Sequence, residues 1–373
     1  MVTESIKNLP GIVTEESIVH FRSLLVTLQN EKNKCFILHC GDCAESYAST
    51  SFNSIERQVQ LIQAACDKIN NILTKSTIKI ARAAGQFGKP RTKKYESKGD
   101  NFVLNYHGDI INEHAHSESG RKIDPYNMLL AYGNSQKTYN YIRAIEQENK
   151  INYAANETII HTSHEAFLLP YEEALTRKSS QPNSQQWYNL SAHMLWLGYR
   201  SIYDESPHIE YLRGIMNPIG IKVGPNIKPI ELINLLSTLN PNNEPGKIII
   251  IYRLGAKNIC KLLPNYLQTI QKENFNVLWL CDPMHGNTEI VHGIKFRSME
   301  NIISELRHAI KIHRTLKVKF SGIHLEISGD DIVECGFRID RIHHSAKKYQ
   351  SLMDPRLNKA QMFVLIDEFI NHF

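Results

Sequence analysis

Eight short runs of apolar residues recur along this chain, and polar or mixed segments separate them. Runs of this length that are rich in branched side chains are typical of strands buried on both faces of a parallel sheet. The predicted strands occupy residues 35–39, 78–84, 158–162, 193–197, 219–223, 247–252, 276–280 and 322–327.

Helical patterns lie between several of these strands, for example over residues 55–73 and 227–238. Asp124 and Pro125 are a suitable N-cap and first-turn pair for a helix that runs toward Ile145. Eight strands that alternate with helices predict an α/β fold, the (β/α)8 TIM barrel.

The chain is longer than such a barrel requires, with 373 residues against about 250. We expect the surplus in a short N-terminal extension at residues 1–33 and in loop insertions. The polar segment 93–123, after the second strand, is the clearest long loop. Because the sequence shows no internal repeat, low-complexity tract or linker, residues 1–373 are predicted to form a single domain.

Composition and charge narrow the choice of partners. The chain is 42% hydrophobic and 22% charged, with a net charge of +5. Its basic residues are scattered, which disfavours a nucleic-acid surface and is compatible with small anionic substrates. Residues 1–10 do not resemble a secretory signal, and no apolar stretch approaches the roughly 20 residues of a membrane span. We therefore expect a cytoplasmic protein with reduced cysteines and no membrane contact.

Coordinating side chains follow several of the predicted strands. The C-terminal ends of barrel strands share one rim, where active sites of this fold are built. One thiol, one imidazole and two carboxylates are the candidate ligands there, namely Cys43, His285, Glu326 and Asp354. Such a set suits a divalent first-row ion and does not choose among manganese, iron, cobalt and zinc.

Each candidate ligand also has a simpler interpretation. Cys43 alone is more often a small buried hydrophobe, and His285 alone could cap a helix. Glu326 could pair with a lysine, and Asp354 before a proline could begin a helix. Cys40 and Cys43 also form a Cys-x-x-Cys pair, but the sequence has no second pair and no thioredoxin-like layout, which disfavours redox chemistry. What favours a metal site is the common rim.

A second group of residues at these strand ends is basic. Lys222 is the most informative member, because an ammonium inside a strand is costly unless it meets an opposite charge in the barrel mouth. Guanidinium groups bind phosphate and carboxylate in a bidentate manner, so several converging cations indicate a substrate with more than one anionic group. The other members are Arg82, Lys89, Arg91, Arg200 and Arg253.

The segments that contain these residues, taken in their order along the chain, resemble one enzyme family, class II 3-deoxy-D-arabino-heptulosonate 7-phosphate (DAHP) synthase. The resemblance runs from about residue 9 to residue 366 and is carried by GDCAES, RAAGQFGKPRT, TSHEAFLLPYE, WLGYR, LRGIMNPIGIKVGP, RLGA, CDPMHGNT, GIHLEISGDD and DPRLN. It implies a metal-dependent, aldol-type condensation of phosphoenolpyruvate with erythrose 4-phosphate. The products would be DAHP and inorganic phosphate, at the first step of the shikimate route to aromatic amino acids.

The resemblance also implies roles for individual residues. The metal, most often manganese, would be held by Cys43, His285, Glu326 and Asp354. The carboxylate of phosphoenolpyruvate would lie on Arg82 and Lys89, and its phosphate on Arg200, Lys222 and Arg253.

The resemblance implies separate partners for the aldose phosphate. Arg91 and Thr92 are similar to the family's clamp for this phosphate, and Lys295 would assist on the same rim. Asp282 is a candidate for activating the water that adds to C2 of the donor. The residues expected nearest the reacting atoms are Arg82, Lys89, His285 and Asp282.

The chain departs from the family in two large features. Family members commonly have a longer N-terminal extension and an additional helix pair between the second and third strands, and neither is recognisable here. In long members those elements carry aromatic amino-acid sites, so the chain resembles a core barrel. We therefore expect that Trp, Phe and Tyr do not inhibit it. Inhibition by any of them at sub-millimolar concentration in an activity assay would contradict this expectation.

Smaller departures lie near the predicted chemistry. His39 and Cys40 replace a usual Gln-Gly, Tyr199 replaces a commonly acidic residue, and Met353 replaces a frequent cysteine. Residues 335–338 replace a Gly-rich turn beside the predicted acceptor site. Two alternatives therefore remain: condensation of phosphoenolpyruvate with a different aldehyde, such as an amino-sugar phosphate, in a specialised pathway, or a non-catalytic relative. We also expect a homo-oligomer, in the simplest case a dimer.

Overall fold

The computed structural model of the chain describes residues 2–30, 35–98, 101–152, 159–338 and 348–373. The helices in these residues are α1 (Val2–Lys7), α2 (Glu15–Asn30), α3 (Phe52–Leu73), α4 (Asn127–Asn152), α5 (Leu169–Ala174), α6 (Pro207–Arg213), α7 (Pro229–Leu239), α8 (Ile259–Lys272), α9 (Met299–Leu316) and α10 (Lys359–His372). The strands are β1 (Cys35–Gly41), β2 (Ser76–Arg82), β3 (Tyr95–Lys98), β4 (Asn101–Leu104), β5 (His161–Glu165), β6 (Thr176–Lys178), β7 (Trp187–Asn189), β8 (Met194–Leu197), β9 (Ile219–Val223), β10 (Ile248–Tyr252), β11 (Val277–Cys281), β12 (Thr288–Val291), β13 (Ile294–Ser298), β14 (Gly322–Glu326) and β15 (Cys335–Gly336).

Eight of the described strands close into a parallel barrel. Their circular order is β1, β2, β5, β8, β9, β10, β11 and β14. In chain order a helix follows each of these strands before the next one begins, starting with α3 after β1 and ending with α10 after β14. The predicted (β/α)8 TIM barrel is therefore confirmed.

The third barrel strand differs most from its prediction. The sequence pattern placed it at residues 158–162, whereas β5 runs over His161–Glu165, and residue 158 lies outside the described residues. The cause is chemical, because the side chains of His161, Ser163 and Glu165 are polar and yet buried inside the barrel. A search for apolar runs stops where a strand turns polar groups toward the barrel interior.

Two predicted helices start at slightly different residues. The helix expected at 55–73 begins at Phe52, because the hydroxyl of Ser51 accepts a hydrogen bond from Ser54 N–H and caps it. The helix expected from Asp124 begins at Asn127 instead. At its start, the N–H groups of Met128 and Leu129 donate turn-type hydrogen bonds to the carbonyls of residues 125 and 126. The helix continues past Ile145 to Asn152. The helix expected at 227–238 is α7.

The long segment after β2 is not wholly a loop. Residues 93–123 contain the antiparallel hairpin β3–β4, with Tyr95 paired to Leu104. In the described residues between β2 and β5, α4 is the one helix.

Helix α2 closes the bottom of the barrel. Phe21, Leu25 and Leu28 are fully buried and pack against apolar side chains from the inner face of the strands. The ring of Phe21 stacks on His161 with centroids 4.4 Å apart. The segment that the sequence presented only as an N-terminal extension is therefore part of the core.

The inside of the barrel changes from apolar to polar toward the C-terminal ends of its strands. Its lower part contains aliphatic side chains such as Ile78, Ile249 and Leu278. Above them lie buried charged and polar groups, among them His39, Arg82, Lys222, His324 and Glu326. The outer face of the strands packs against the surrounding helices in the main apolar cluster. The polar upper part faces the rim where the candidate site lies.

The helices that the structure describes include none with the length and apolarity of a membrane span.

The closure by α2 leads to a prediction about stability. Replacing Phe21 with alanine should lower the free energy of unfolding by about 3–5 kcal/mol, since it leaves a cavity under the barrel. Chemical denaturation followed by far-UV circular dichroism would measure this change.

Val19 on the same helix provides the control. Its side chain is 49% exposed, so Val19→Ala should change the unfolding free energy by less than about 0.5 kcal/mol. Equal losses for the two variants would contradict a role for α2 as the floor of the barrel.

Candidate active site

Three candidate ligands with acidic groups converge at the mouth of the barrel. The ligand atoms of Cys43, Glu326 and Asp354 all lie within 4.8 Å of one another. Cys43 follows β1, Glu326 ends β14, and Asp354 lies in the loop before α10. Asp354 does not begin that helix, whose N-cap is Asn358, so the simpler interpretation of Asp354 is wrong.

The ammonium of Lys89 lies among these three groups. Its Nζ is 3.3 Å from Sγ of Cys43 and 3.8 Å from Glu326, and it forms an ion pair with Asp354. Burial alone would lower the pKa of Lys89, but Asp354 and Cys43 outweigh burial and hold it above its ordinary value. The thiol and the two carboxylates thus create a site that strongly favours positive charge.

His285 completes this group from the other side. Its Nδ1 lies 2.7 Å from the Asp282 carboxylate, which can only accept, so the ring proton is on Nδ1. Its Nε2 then presents a lone pair to Oε1 of Glu326, 2.9 Å away. That oxygen is buried and accepts no well-aligned hydrogen bond from the described residues, but Arg82 lies 3.1 Å and Lys89 3.8 Å from it. Burial lowers the pKa of His285, while the carboxylates of Asp282 and Glu326 act in the opposite direction.

Nε2 of His285 and Oε1 of Glu326 are two acceptors only 2.9 Å apart, and one shared cation would satisfy both. The set of one thiol, one imidazole and two carboxylates fits a divalent metal ion, which Cys43, His285, Glu326 and Asp354 would hold. Burial, with Glu326 nearby, raises the pKa of the Cys43 thiol to about 12. A metal binding there would displace the thiol proton, since the thiolate is the ligand.

Glu326 makes the largest number of charged contacts in the site. Arg297 donates to it at 2.5 Å, and Arg82 lies 3.1 Å away. Burial by itself raises the pKa of Glu326, but His285 and Arg297 hold it well below its ordinary value. The suggestion that Glu326 pairs with a lysine is true only in a minor way, because its closest cationic partners are arginines.

Lys222 finds the opposite charge that its position in β9 requires. Its Nζ lies 2.7 Å from the Asp282 carboxylate and 2.7 Å from Nε2 of His324. Burial is the main influence on Lys222 and lowers its pKa to about 7. Asp282 is affected in the opposite direction: despite burial, His285 and Lys222 hold its pKa well below the ordinary range.

The cations predicted to bind phosphoenolpyruvate, the donor substrate, line one cleft beside the candidate metal ligands. This cleft is called the donor cleft below. Arg82, Lys89 and Lys222 are buried in it, while Arg253 is half-buried and Arg200 is exposed at its edge. Arg253 was expected at the end of its strand, but β10 stops at Tyr252 and Arg253 follows, where it donates to the carbonyl of His285 at 3.0 Å. The other residues that line the cleft are Pro90, Glu165, Trp196, Gly198, Tyr199 and His285.

The three remaining candidates lie around the outside of this cleft. Arg200 donates from Nε to the hydroxyl of Thr92 at 3.2 Å, which links the predicted phosphate clamp to the donor cleft. Arg91, next to Thr92, is half-buried and close enough to His107 to help lower its pKa, although burial is the larger cause. Lys295 lies instead beside the candidate metal ligands, where it donates a hydrogen bond to Asp354 at 2.6 Å.

Comparison with known proteins identifies the family. The chain matches the model of the Class-II DAHP synthetase family over residues 1–156 and 147–367. The chain belongs to this family. The resemblance that its motifs carry is thereby confirmed.

Individual relatives agree with the family match. The chain is 34% identical over 432 positions to phospho-2-dehydro-3-deoxyheptonate aldolase of Neurospora crassa, covering 100% of this chain and 89% of that protein. It is 32% identical over 378 positions to the Streptomyces coelicolor protein of the same name, covering 88% of this chain and 83% of the relative. The solved structure of phospho-2-dehydro-3-deoxyheptonate aldolase from Francisella tularensis SCHU S4 aligns with a TM-score of 0.59 at 14% identity, over 99% of this chain and 95% of that one. At this identity the likeness shows the barrel fold alone.

Sequence reasoning missed four residues of the candidate site, namely Glu165, Gly198, Arg297 and His324. Glu165 ends β5 with a buried, unpartnered Oε1 that lines the donor cleft, and burial raises its pKa. Gly198 makes room for it, since a Cβ there would lie 1.8 Å from that oxygen. Arg297 and His324 were also overlooked. Each lies two residues from a named candidate, Lys295 or Glu326, and the alternation of side chains along a strand would have indicated both.

Two buried carboxylates hold the loops that carry the site. Glu45 accepts hydrogen bonds from the backbone N–H groups of residues 84–86, which shapes the turn leading to the donor cleft. Glu305 accepts from the N–H groups of residues 254–255 and from the side chain of Asn287. It thereby ties the loop after β10 to the loop after β11. Cations and ligands on separate loops are fixed relative to each other in this way.

The candidate metal centre can be tested without an activity assay. We expect Co²⁺ added to the protein at neutral pH to give a thiolate-to-cobalt charge-transfer band in the near ultraviolet, because the ion would displace the Cys43 proton. The band should be absent in Cys43→Ser. Absorption spectroscopy during a Co²⁺ titration measures both.

Cys335 offers the matched control, as it is also buried and close to Arg297 but is not a candidate ligand. Cys335→Ser should keep the band. A band that survives in Cys43→Ser would remove Cys43 from the metal site.

Proposed function

We propose that this protein condenses phosphoenolpyruvate with erythrose 4-phosphate to give DAHP and inorganic phosphate. The observation that carries the proposal is the adjacency of a cation-lined cleft and a thiol, imidazole and carboxylate donor set on one rim of the barrel. Membership of the class-II DAHP synthetase family and the name shared by both curated relatives support it.

The cleft suits a small donor with two anionic groups. Arg82 and Lys89 lie next to the metal ligands and would bind the carboxylate, while Lys222, Arg253 and Arg200 lie along the rest of the cleft and would bind the phosphate. Fixing both groups aims C3 of phosphoenolpyruvate at the acceptor. Such positioning removes much of the entropic barrier of a bimolecular reaction.

The acceptor would bind on the side of Arg91, Thr92 and Lys295. A bound divalent metal, with manganese favoured, would act as a Lewis acid on the aldehyde oxygen. Lys89 is protonated and lies between the ligands Cys43 and Asp354. Its positive charge would therefore stabilise the negative charge that develops on the oxygen of the aldehyde as the carbon–carbon bond forms.

Water must then add to C2 of the donor, and a carboxylate must take its proton. Asp282 is a poor choice because it is already engaged by Lys222 and His285, and its pKa is held low. Glu165 has a free buried oxygen in the cleft and a raised pKa. We therefore assign proton acceptance from this water to Glu165, with Asp282 holding Lys222 and His285 in place. Loss of the phosphate from C2 completes the reaction.

The acceptor is decided by one experiment. The protein with Mn²⁺ and phosphoenolpyruvate should release phosphate only when an aldose phosphate is added, and fastest with erythrose 4-phosphate. A panel that includes an amino-sugar phosphate tests the alternative acceptor. Higher turnover with that compound would replace the proposed acceptor, and the absence of turnover with every aldehyde would favour a non-catalytic relative. Cytoplasmic location and a dimer remain expectations from the sequence.

The charge of Lys222 gives a pH-dependent prediction. With a pKa of about 7, Lys222 loses its charge as the pH rises above neutrality, so affinity for phosphoenolpyruvate should fall between pH 7 and 9. Stability should change in the opposite direction. The folded pKa lies below the value of about 10.4 in an unfolded chain, and folding then becomes more favourable as pH rises through this window. Calorimetric titrations with phosphoenolpyruvate at several pH values measure the affinity.

Two variants separate charge from structure at this position. Lys222→Ala should weaken phosphoenolpyruvate binding at pH 6.5 by about 1.5–3 kcal/mol, the range for a hydrogen bond to a charged group. Lys222→Arg keeps its charge at every pH tested and should lose the pH dependence. A fall in affinity that persists unchanged in Lys222→Arg would show that another group titrates.

A further inference from the structure

A chain of buried hydrogen bonds crosses the barrel just below the donor cleft. Arg82 and Lys222 both lie within hydrogen-bond distance of Nε2 of His324, at 2.8 and 2.7 Å. Nδ1 of His324 is 2.9 Å from Nδ1 of His39, and Nε2 of His39 is 2.9 Å from the hydroxyl of Ser163. All five side chains are at most 5% exposed. His39 itself touches none of the candidate ligand atoms.

The direction of every bond in this chain follows from its charged end. A guanidinium has only donors, and so does an ammonium, so Nε2 of His324 must be an acceptor. A neutral imidazole carries one proton, so that of His324 is on Nδ1 and is donated to His39. His39 then accepts at Nδ1 and donates from Nε2 to Ser163. The hydroxyl of Ser163 donates its own hydrogen bond to the carbonyl oxygen of Ala81, at 2.9 Å.

Both rings are neutral in this arrangement. The geometry requires this, because Nε2 of His324 faces two donors and Nδ1 of His39 faces the N–H of His324. The rings stand nearly perpendicular, with an interplanar angle of 81° and centroids 4.3 Å apart. Each ring therefore has one donor and one acceptor, and each has a partner for both.

The two cations share this acceptor, in addition to Asp282 for Lys222 and to Glu326 and two backbone carbonyls for Arg82. Arg82 and Lys222 both lie over the ring of Trp196, at 5.1 and 5.9 Å, and Trp196 offers them no hydrogen-bond acceptor. If the proton of His324 moved to Nε2, an N–H would face both cations and two hydrogen bonds would be lost. The group that prevents this shift is the one that accepts the Nδ1 proton, which is His39.

We infer that His39 is a positioning residue of the donor site, which acts by accepting the Nδ1 proton of His324 and so keeps Nε2 of that ring available to Arg82 and Lys222. The ligand that benefits, phosphoenolpyruvate, rests on the proposed function. The tautomer assignment does not.

Two substitutions at position 39 distinguish hydrogen bonding from packing. His39→Leu fills much of the same space but accepts no proton. His39→Gln retains an acceptor for His324 and a donor for Ser163 in one amide group. His161→Leu is the matched control, because His161 is another buried histidine inside the barrel but lies lower, against Phe21.

The binding arm measures the dissociation constant of phosphoenolpyruvate and the KM and kcat of the Mn²⁺-loaded enzymes. His39→Leu should raise the dissociation constant and the KM roughly tenfold to a hundredfold, with a smaller change in kcat. His39→Gln should restore both to within about threefold of the wild type, and His161→Leu should not change them. Equal effects of His39→Leu and His39→Gln, or of His39→Leu and His161→Leu, would overturn the inference.

The tautomer arm uses ¹⁵N-histidine NMR spectra of the wild-type chain without added metal, and a variant serves only to assign the resonances. The His324 resonances, assigned by their loss in His324→Gln, should show a protonated Nδ1 and an unprotonated Nε2. A proton on Nε2 would overturn the inference. A wild-type enzyme that binds no phosphoenolpyruvate would overturn the proposed function, and the tautomer of His324 would still decide the assignment of His39.

Discussion

The carboxylate of Glu326, fully buried at the end of the last barrel strand, is the charge on which the rest of the site depends. A carboxylate in such a position is costly by several kcal/mol unless opposite charges and hydrogen bonds surround it. Here Arg82, Arg297 and Lys89 approach it from β2, from β13 and from the loop after β2. Neutralising one anion therefore requires distant parts of the chain to meet. Closure of the barrel and assembly of the site are in this sense one event.

The same arrangement provides a reason for the metal. Three cationic side chains do not satisfy the oxygen of Glu326 that faces the unprotonated Nε2 of His285. A thiol with a raised pKa and a second carboxylate lie close by. The residues of the mouth therefore form two neighbouring sets, one of thiol, imidazole and carboxylate groups and one of cations. The first set suits a metal ion, and the second suits an anionic substrate.

The division of the barrel interior into two layers links stability to chemistry. The lower layer, closed by α2, is aliphatic and contributes the burial that folding requires. The upper layer makes few apolar contacts. It consists of buried histidines and charged side chains whose hydrogen-bond directions are fixed. Trp196 lies at the boundary, with its ring beneath Arg82 and Lys222. In this low-dielectric setting each hydrogen bond is strong, and each unpaired polar group is costly. This is why His39, which lies below the donor cleft and does not line it, can influence that cleft.

The pattern of the sequence was most informative where strands are apolar on both faces. The predicted positions of β1, β9, β10, β11 and β14 needed no more than small changes at their ends. The pattern was least informative at β5, where inward polar residues hide the strand, and at 93–123, where a short hairpin has no apolar run. The candidate ligands could be named because a barrel gathers its strand ends on one rim. Alternation along β13 places Arg297 on the same face as Lys295, but it does not show that Arg297 reaches Glu326.

What the sequence by itself determined is the barrel, the family and the set of residues that can reach the rim. These follow from local periodicity and motif order, which need no knowledge of distance. What only the tertiary structure decided is the direction of each proton and charge: that Lys222 meets Asp282, that Glu165 keeps a free oxygen, and that His39 faces His324. The physical reason is that hydrogen bonds and ion pairs depend on ångström separations and on burial between residues far apart in the chain, which no local pattern encodes.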